Sequence, residues 1–392
     1  MNTDKPITIS LTSKNSHVLK IFAGQGSLSI GTTGMDKKKF DILVDDNLPI
    51  NWNCFNELFT GYGKVNSHLH PYGDWPRYFN YSGNDIGFTE WSKKRQIEGF
   101  QIHPNKPISI NLKDTLIDNL DVEAIDSAVI VTLGNHLSRL HLSGNLEYFS
   151  IIATNENPDV CLTPKTSKDI EMAPLKLPDF KSLHAITTLE IAVEPLGQAF
   201  DCESLLQFTC IEDLSLTGNI TNLDCLKNFE NLKRLSIRYS PNLENCPSLN
   251  TWKNLESFIG WNIDQKIGER LKAELKLLSK EKELDYSSVS QLRNSIWFIT
   301  EYGIPFSNWE TKNARIATKA YKIALKEINK AKTLEEVRIA ITQLIQTINT
   351  LPNIETVERE DAGIAVHQLI EASSLNISQE TGNKWFDEIR DF

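Results

Sequence analysis

Two histidines stand two residues apart in Ser67-His68-Leu69-His70-Pro71, with Cys54 and Asp74 nearby in the chain. On a strand, side chains at i and i+2 point the same way, so this group could be built into a metal site. Pro71 and the neighbouring glycines and asparagines favour a loop instead, in which the two rings need not converge, and aromatic packing of that loop is the stronger expectation. Glu358 and Glu360, in the run Glu358-Arg359-Glu360-Asp361, could divide acid and base roles as paired carboxylates do. Acidic residues in the first turn of a helix beginning near Thr356 are also what the helix dipole favours, and capping is the expected role. The tract from Gly24 through Gly26 to Gly31 suggests a dinucleotide loop, but Ser29 occupies the third glycine position and no helical pattern follows. A turn or hairpin is expected there. Neither GxSxG nor GxxxxGK[ST] occurs, and no cysteine has an adjacent histidine. The sequence therefore assigns no catalytic residue, no metal and no cofactor, and no enzymatic activity is expected.

The elements that carry side chains to a surface are more informative. The pattern Leu-x-x-Leu-x-Leu, with aliphatic replacements, occurs as Ile186, Leu189, Ile191; as Ile211, Leu214, Leu216; and as Leu232, Leu235, Ile237, then decays as Leu255 and Phe258. The markers Leu189, Leu214, Leu235 and Phe258 are separated by 25, 21 and 23 residues, within the period of leucine-rich repeats. Each short strand is expected to bury its period-2 apolar residues and turn the intervening ones to a concave face. That face is expected to carry Glu190; Asp213, Ser215 and Thr217; Arg234, Ser236 and Arg238; and Ser257, Ile259 and Trp261, a mixture of Arg, Asp and Trp suited to partner binding. Trp261 could equally form a seam against the following helices. Asn219, where a repeat leaves its strand, is placed to bond the backbone of the turn.

Upstream, HLSRLHL and NLEYFSI obey the same local pattern, but their markers Leu140 and Phe149 are 9 residues apart, so truncated coils or a hairpin at Ser143-Gly144-Asn145 are expected. The Pro- and Asn-rich stretch from Asn155 to Pro178 is read as an insertion or irregular coil. Residues 1–120 suggest a small β-rich N-terminal domain or cap: ITISL, HVLKIFA and SLSIG resemble strands and precede an aromatic stretch from Trp52 to Trp91. Residues 121–263 form the repeat region, regular over 186–261. Residues 264–392 change period from strand to helix. One stripe is Leu334, Val337, Ile341, Leu344, Ile345 and Ile348, opened by a Thr333/Glu336 capping box; another is Ile316, Ala320, Ile323, Ala324 and Ile328. The expected fold class is α+β: a short leucine-rich-repeat solenoid with a β-rich N-terminal domain or cap and an all-α C-terminal domain of four or five helices.

Composition narrows the function. The 392 residues carry 41 basic and 51 acidic side chains, a net charge of −10, which argues against nucleic acid or an anionic membrane as partner and suits a protein with a basic surface. No apolar run approaches a membrane span and no secretory leader is readable, so a cytoplasmic location is expected. Six cysteines without CxxC spacing read as reduced thiols.

The stretch LSLTGNITNLDCLKNFENLKRLSIRYSPNLENCPSLNTWKNLESF resembles the bacterial leucine-rich-repeat proteins. Some of that group are ubiquitin ligases with a cysteine in the helical domain, but this chain has no cysteine after Cys246, so a ligase is not implied. The tail, LPNIETVEREDAGIAVHQLI followed by NKWFDEIRDF, resembles helical tails of such proteins encoded beside bacterial polymorphic toxins. The resemblance implies an immunity protein, an antitoxin that covers a toxin's active surface; the alternative is a secreted effector or toxin with activity in the N-terminal or helical domain.

Overall fold

A computed structural model describes residues 6–22, 25–58, 76–153, 157–169 and 171–392. The chain opens with an antiparallel pair, β1 (Ile7–Ser10) and β2 (Val18–Ile21). There follow β3 (Ser27–Thr32), β4 (Ile42–Val44), β5 (Tyr78–Tyr81), the short helix α1 (Gly87–Ser92) and β6 (Ile97–Ile102). Next come β7 (Ile108–Asn111), β8 (Ile117–Ala124), β9 (Val129–Thr132), β10 (Arg139–Gly144), β11 (Phe149–Ile152) and β12 (Asp159–Pro164). The series ends with β13 (Thr188–Ala192), β14 (Phe200–Asp201), β15 (Asp213–Thr217), β16 (Ile220–Thr221), β17 (Arg234–Arg238), β18 (Ser257–Trp261) and β19 (Ser288–Ser290). Interleaved with and after the last strands are α2 (Gln265–Glu281), α3 (Ser295–Tyr302), α4 (Thr311–Ile328), α5 (Leu334–Asn349), α6 (Thr356–Ala372) and α7 (Gln379–Ile389).

Twelve of these strands form one sheet in the order β19-β18-β17-β15-β13-β12-β10-β8-β6-β5-β3-β4, and every pairing in it is parallel. Parallel neighbours need a crossover on one side of the sheet. Here the crossovers lay down a second layer: β7, β9 and β11 make a three-stranded parallel sheet, and β14 pairs with β16. Between the layers lies the core. Its ladder runs Phe100, Leu120, Leu140, Val160, Leu189, Leu214, Leu235, Phe258, one residue per strand in register, each at most 2% exposed. Burial of side chains of this size stabilises by roughly 1.5–3 kcal/mol each before conformational entropy is subtracted.

The expected fold class is corrected by the extent of that sheet. The protein is mixed α/β, dominated by a twelve-stranded parallel sheet with helices in the C-terminal region, and not a short repeat solenoid behind a separate β-rich domain. The proposed limit at residue 120 falls within β8, and a single apolar core runs from Ile9 to Val289. A second core, from Phe306 to Phe386, belongs to the last helices; α2 packs its Leu271, Leu275 and Leu278 on the first. HLSRLHL and NLEYFSI do not form a hairpin: β10 lies between β8 and β12, whereas β11 joins β9 in the other layer. Nor is Asn155 to Pro178 merely irregular, because β12 within it is a central strand.

At the N-terminal end, Trp52, Phe55, Phe79, Phe88, Trp91 and Phe100 pack together, with Phe88 and Phe100 stacked at 3.9 Å and Trp52 against Trp91 at 5.8 Å. The Trp52 indole N–H is satisfied by Asp85 Oδ1 at 2.8 Å. Among the helices, the capping box at Thr333 and Glu336 is formed. The expected stripe on α4 is shifted: its buried residues are Asn313, Ala317, Tyr321, Ala324 and Ile328, which leaves Ile323 exposed.

Candidate functional site

The strands β13, β15, β17 and β18 bring the sequence-nominated side chains to one outward face in three rows. Asp213, Arg234 and Ser257 are cross-strand partners, as are Glu190, Ser215, Ser236 and Ile259, and Thr217, Arg238 and Trp261. Parallel neighbours lie about 4.8 Å apart, so each row is a contiguous surface. Glu190, Asp213, Ser215, Arg234, Ser236, Arg238 and Ser257, with Ile259, line a depression of about 340 Å³. Ser215 and Ser236, from the middle row, contribute only a hydroxyl each, beside the longer acids and arginines.

Two residues, Ser257 and Thr217, behave differently from expectation, and Trp261 takes the second of its two expected places. Ser257 is 8% exposed, and its hydroxyl donates to the Tyr286 carbonyl at 2.7 Å, because the segment entering β19 covers it. Thr217 and Trp261 do not line the depression. Trp261 meets Tyr239 edge-on at 5.1 Å, and Tyr239 meets Tyr302 of α3 at 6.2 Å, so this end of the face is an aromatic seam with the helices.

Most charges on the face are already paired. Arg139 of β10 reaches Glu190 at 3.0 Å. Arg234 holds Asp213 through Nε at 2.5 Å and through a second guanidinium nitrogen at 2.8 Å, and approaches Glu256 at 3.6 Å. The hydrogen bond to Asp213 pushes the Arg234 pKa upward. Arg238 donates Nε–H to Ser236 Oγ at 3.0 Å and makes no ion pair among the described residues.

The same face continues upstream into a cluster that motif reading missed. Each of three carboxylates on β8 holds a histidine from another segment: His136 on Asp118 at 2.7 Å, His141 on Asp121 at 3.0 Å and His103 on Glu123 at 2.6 Å. His141 uses its other nitrogen on Thr163 Oγ1 at 2.9 Å, and Cys161 is its cross-strand partner on β12. Asp121, His141 and Thr163 thus form a carboxylate–imidazole–hydroxyl relay. Its protonation is wrong for general-base work. The hydrogen bond to Asp121, then that to Cys161, hold the His141 pKa up at about 9. At neutral pH the ring is an imidazolium that donates at both nitrogens, so it cannot take the Thr163 proton. The relay is a fixed, paired cation. Thr163 lines a cavity of about 480 Å³ at the C-terminal ends of the strands, together with Glu123, Ser143, Lys165 and Glu194. The available signal was the 20-residue step from Asp121 to His141 to Cys161, all in one register row.

The other candidates are not gathered into a site. His68, His70 and Asp74 lie outside the described residues, as does Gly24; Cys54 is partly buried, and burial pushes its thiol up to about 12. Among the described residues no group of three or more His, Cys, Asp or Glu is arranged to hold a metal. Gly31 lies within β3, against Phe40 and Leu43, rather than in a phosphate-binding turn. Glu358 completes a capping box with Glu355, whose N–H it accepts at 3.2 Å, and Asp361 accepts the Trp309 indole N–H at 2.9 Å. Among the described residues no helix is long and apolar enough to cross a membrane. Compared with protein-family models, curated proteins and solved structures, the chain matches none.

Proposed function

We propose that the protein binds another protein on the outward face of its large sheet, and that the bound segment is basic. The observation that carries this is the depression of about 340 Å³, lined by eight of the ten residues nominated for this face. The sign of the partner follows from the strands flanking it. From β8 to β17 the outward positions carry five carboxylates, Asp121, Glu123, Asp159, Glu190 and Asp213, against four cations, Arg139, Arg234, Arg238 and the His141 imidazolium, an excess of one acid that adds to the acidity of the whole chain. Charge complementarity of this kind sets specificity and association rate more than raw affinity. An antitoxin that covers a toxin's active surface is the biological role we infer, supported by the tail's resemblance to helical tails encoded beside toxins and by the net charge of −10.

The test is to fill the depression. The full chain and its Ser215→Trp/Ser236→Trp variant would each be used to retain proteins from the native host, with thermal melts recorded in parallel. A partner held by the parent chain and released by the equally stable variant is the expected result. Identical retention by both would remove this face from the account.

A further inference from the structure

We propose a second docking surface, on α4, that takes an acidic peptide segment carrying an apolar side chain. The helix contains Lys312, Arg315, Lys319, Lys322 and Lys326 against a single acid, Glu327, in a chain whose net charge is −10. All five cations are exposed, and their spacing of three or four residues puts Arg315, Lys319, Lys322 and Lys326 along one side of the helix. Lys322 reaches Glu301 at 3.4 Å, whereas Arg315, Lys319 and Lys326 make no ion pair among the described residues. These cations border a groove of about 600 Å³ that also includes Phe306, Ala314, Thr318 and Ile323 and contains no carboxylate. Ile323 is 50% exposed at its edge.

The groove's chemistry selects among anionic partners. Its only aromatic residue, Phe306, is fully buried, so there is no platform on which a nucleic-acid base could stack. A single exposed isoleucine is far less apolar surface than a helix needs to lie in a lipid interface. An extended segment with carboxylates for the lysines and one aliphatic side chain for Ile323 satisfies both components.

The test uses the full chain and a fluorescein-labelled peptide of about ten residues, glutamates with two leucines, followed by fluorescence anisotropy. Saturable binding is expected, weakened on the order of tenfold by Lys319→Glu/Lys326→Glu or by raising salt well above physiological strength. Ile323→Ser should weaken it severalfold while leaving the salt dependence intact. An absence of binding, or equal binding by the charge-reversed variant, would overturn the proposal. Tighter, Lys319-dependent binding of a single-stranded oligonucleotide or of phosphatidylserine vesicles would overturn the assignment to a peptide.

Discussion

Asp213 and Arg234, direct cross-strand neighbours on β15 and β17, are joined by two separate guanidinium contacts, at 2.5 and 2.8 Å. The paired geometry fixes both side chains at the rim of the depression, but about half of the Arg234 side chain remains in solvent. Solvent screening then limits the pair to about 0.5–1 kcal/mol. A double-mutant cycle with Asp213→Asn and Arg234→Gln, followed by urea denaturation, should return a coupling in that range that shrinks in high salt. A coupling of several kcal/mol would show that the pair is effectively desolvated.

His141 provides a pH marker for the relay. Its pKa of about 9 lies above the ordinary imidazole value, so the pairing stabilises the fold fully below about pH 6.5 and is lost as pH rises through 9. An NMR titration of its ring protons should have a midpoint near 9, moving back towards 6.5 in Asp121→Asn. A wild-type midpoint near 6.5 would be incompatible with the imidazolium assigned here.

Glycines at strand ends differ in what they tolerate. Gly218 has φ +102, and an added Cβ would lie 2.0 Å from the Val193 carbonyl oxygen; Gly34, at φ +100, has nothing within 4 Å. Gly218→Ala is expected to cost about 2–4 kcal/mol, and Gly34→Ala about 1 kcal/mol, measured by chemical denaturation. Equal costs would mean that the backbone at Gly218 can move away.

Burial predicts the reactivity of the thiols. It pushes Cys54, Cys225 and Cys246 up to about 12, and Cys202 well above its ordinary value. Alkylation at pH 8 under native conditions should be on the order of a thousandfold slower at Cys54, Cys225 and Cys246 than at a free thiol, strongly slowed at Cys202 as well, and uniform in urea. Peptide mass spectrometry would read each site, and rapid native labelling of Cys202 would contradict its burial.

Legibility of the fold depended on spacing. Leu189, Leu214, Leu235 and Phe258 are readable because nothing interrupts their local pattern, and their strands occur in the expected register. The ladder continues upstream through Phe100, Leu120, Leu140 and Val160 in 20-residue steps. It was hidden because β11 places a similar apolar motif 9 residues after Leu140 but contributes it to the other layer. Pro158 and Pro164 made β12 look like loop, although Pro164 ends the strand. On α4, Ile323 fits a helical apolar stripe, but Tyr321 is the side chain that reaches the core, where it donates to Gln368 at 2.9 Å. The outward rows follow from strand alternation alone. The relay does not, since it joins residues from three strands and no short motif contains them.

Among the described residues, the two ends of the large sheet are β4 and β19, each only three residues long. An edge strand exposes unpaired amides and carbonyls that can template the addition of another chain, and brevity is one way of limiting that hazard. Ten longer strands are thus enclosed between two stubs, each offering an incoming chain only a few hydrogen bonds. The sheet can present a wide binding face while resisting end-to-end growth into fibres.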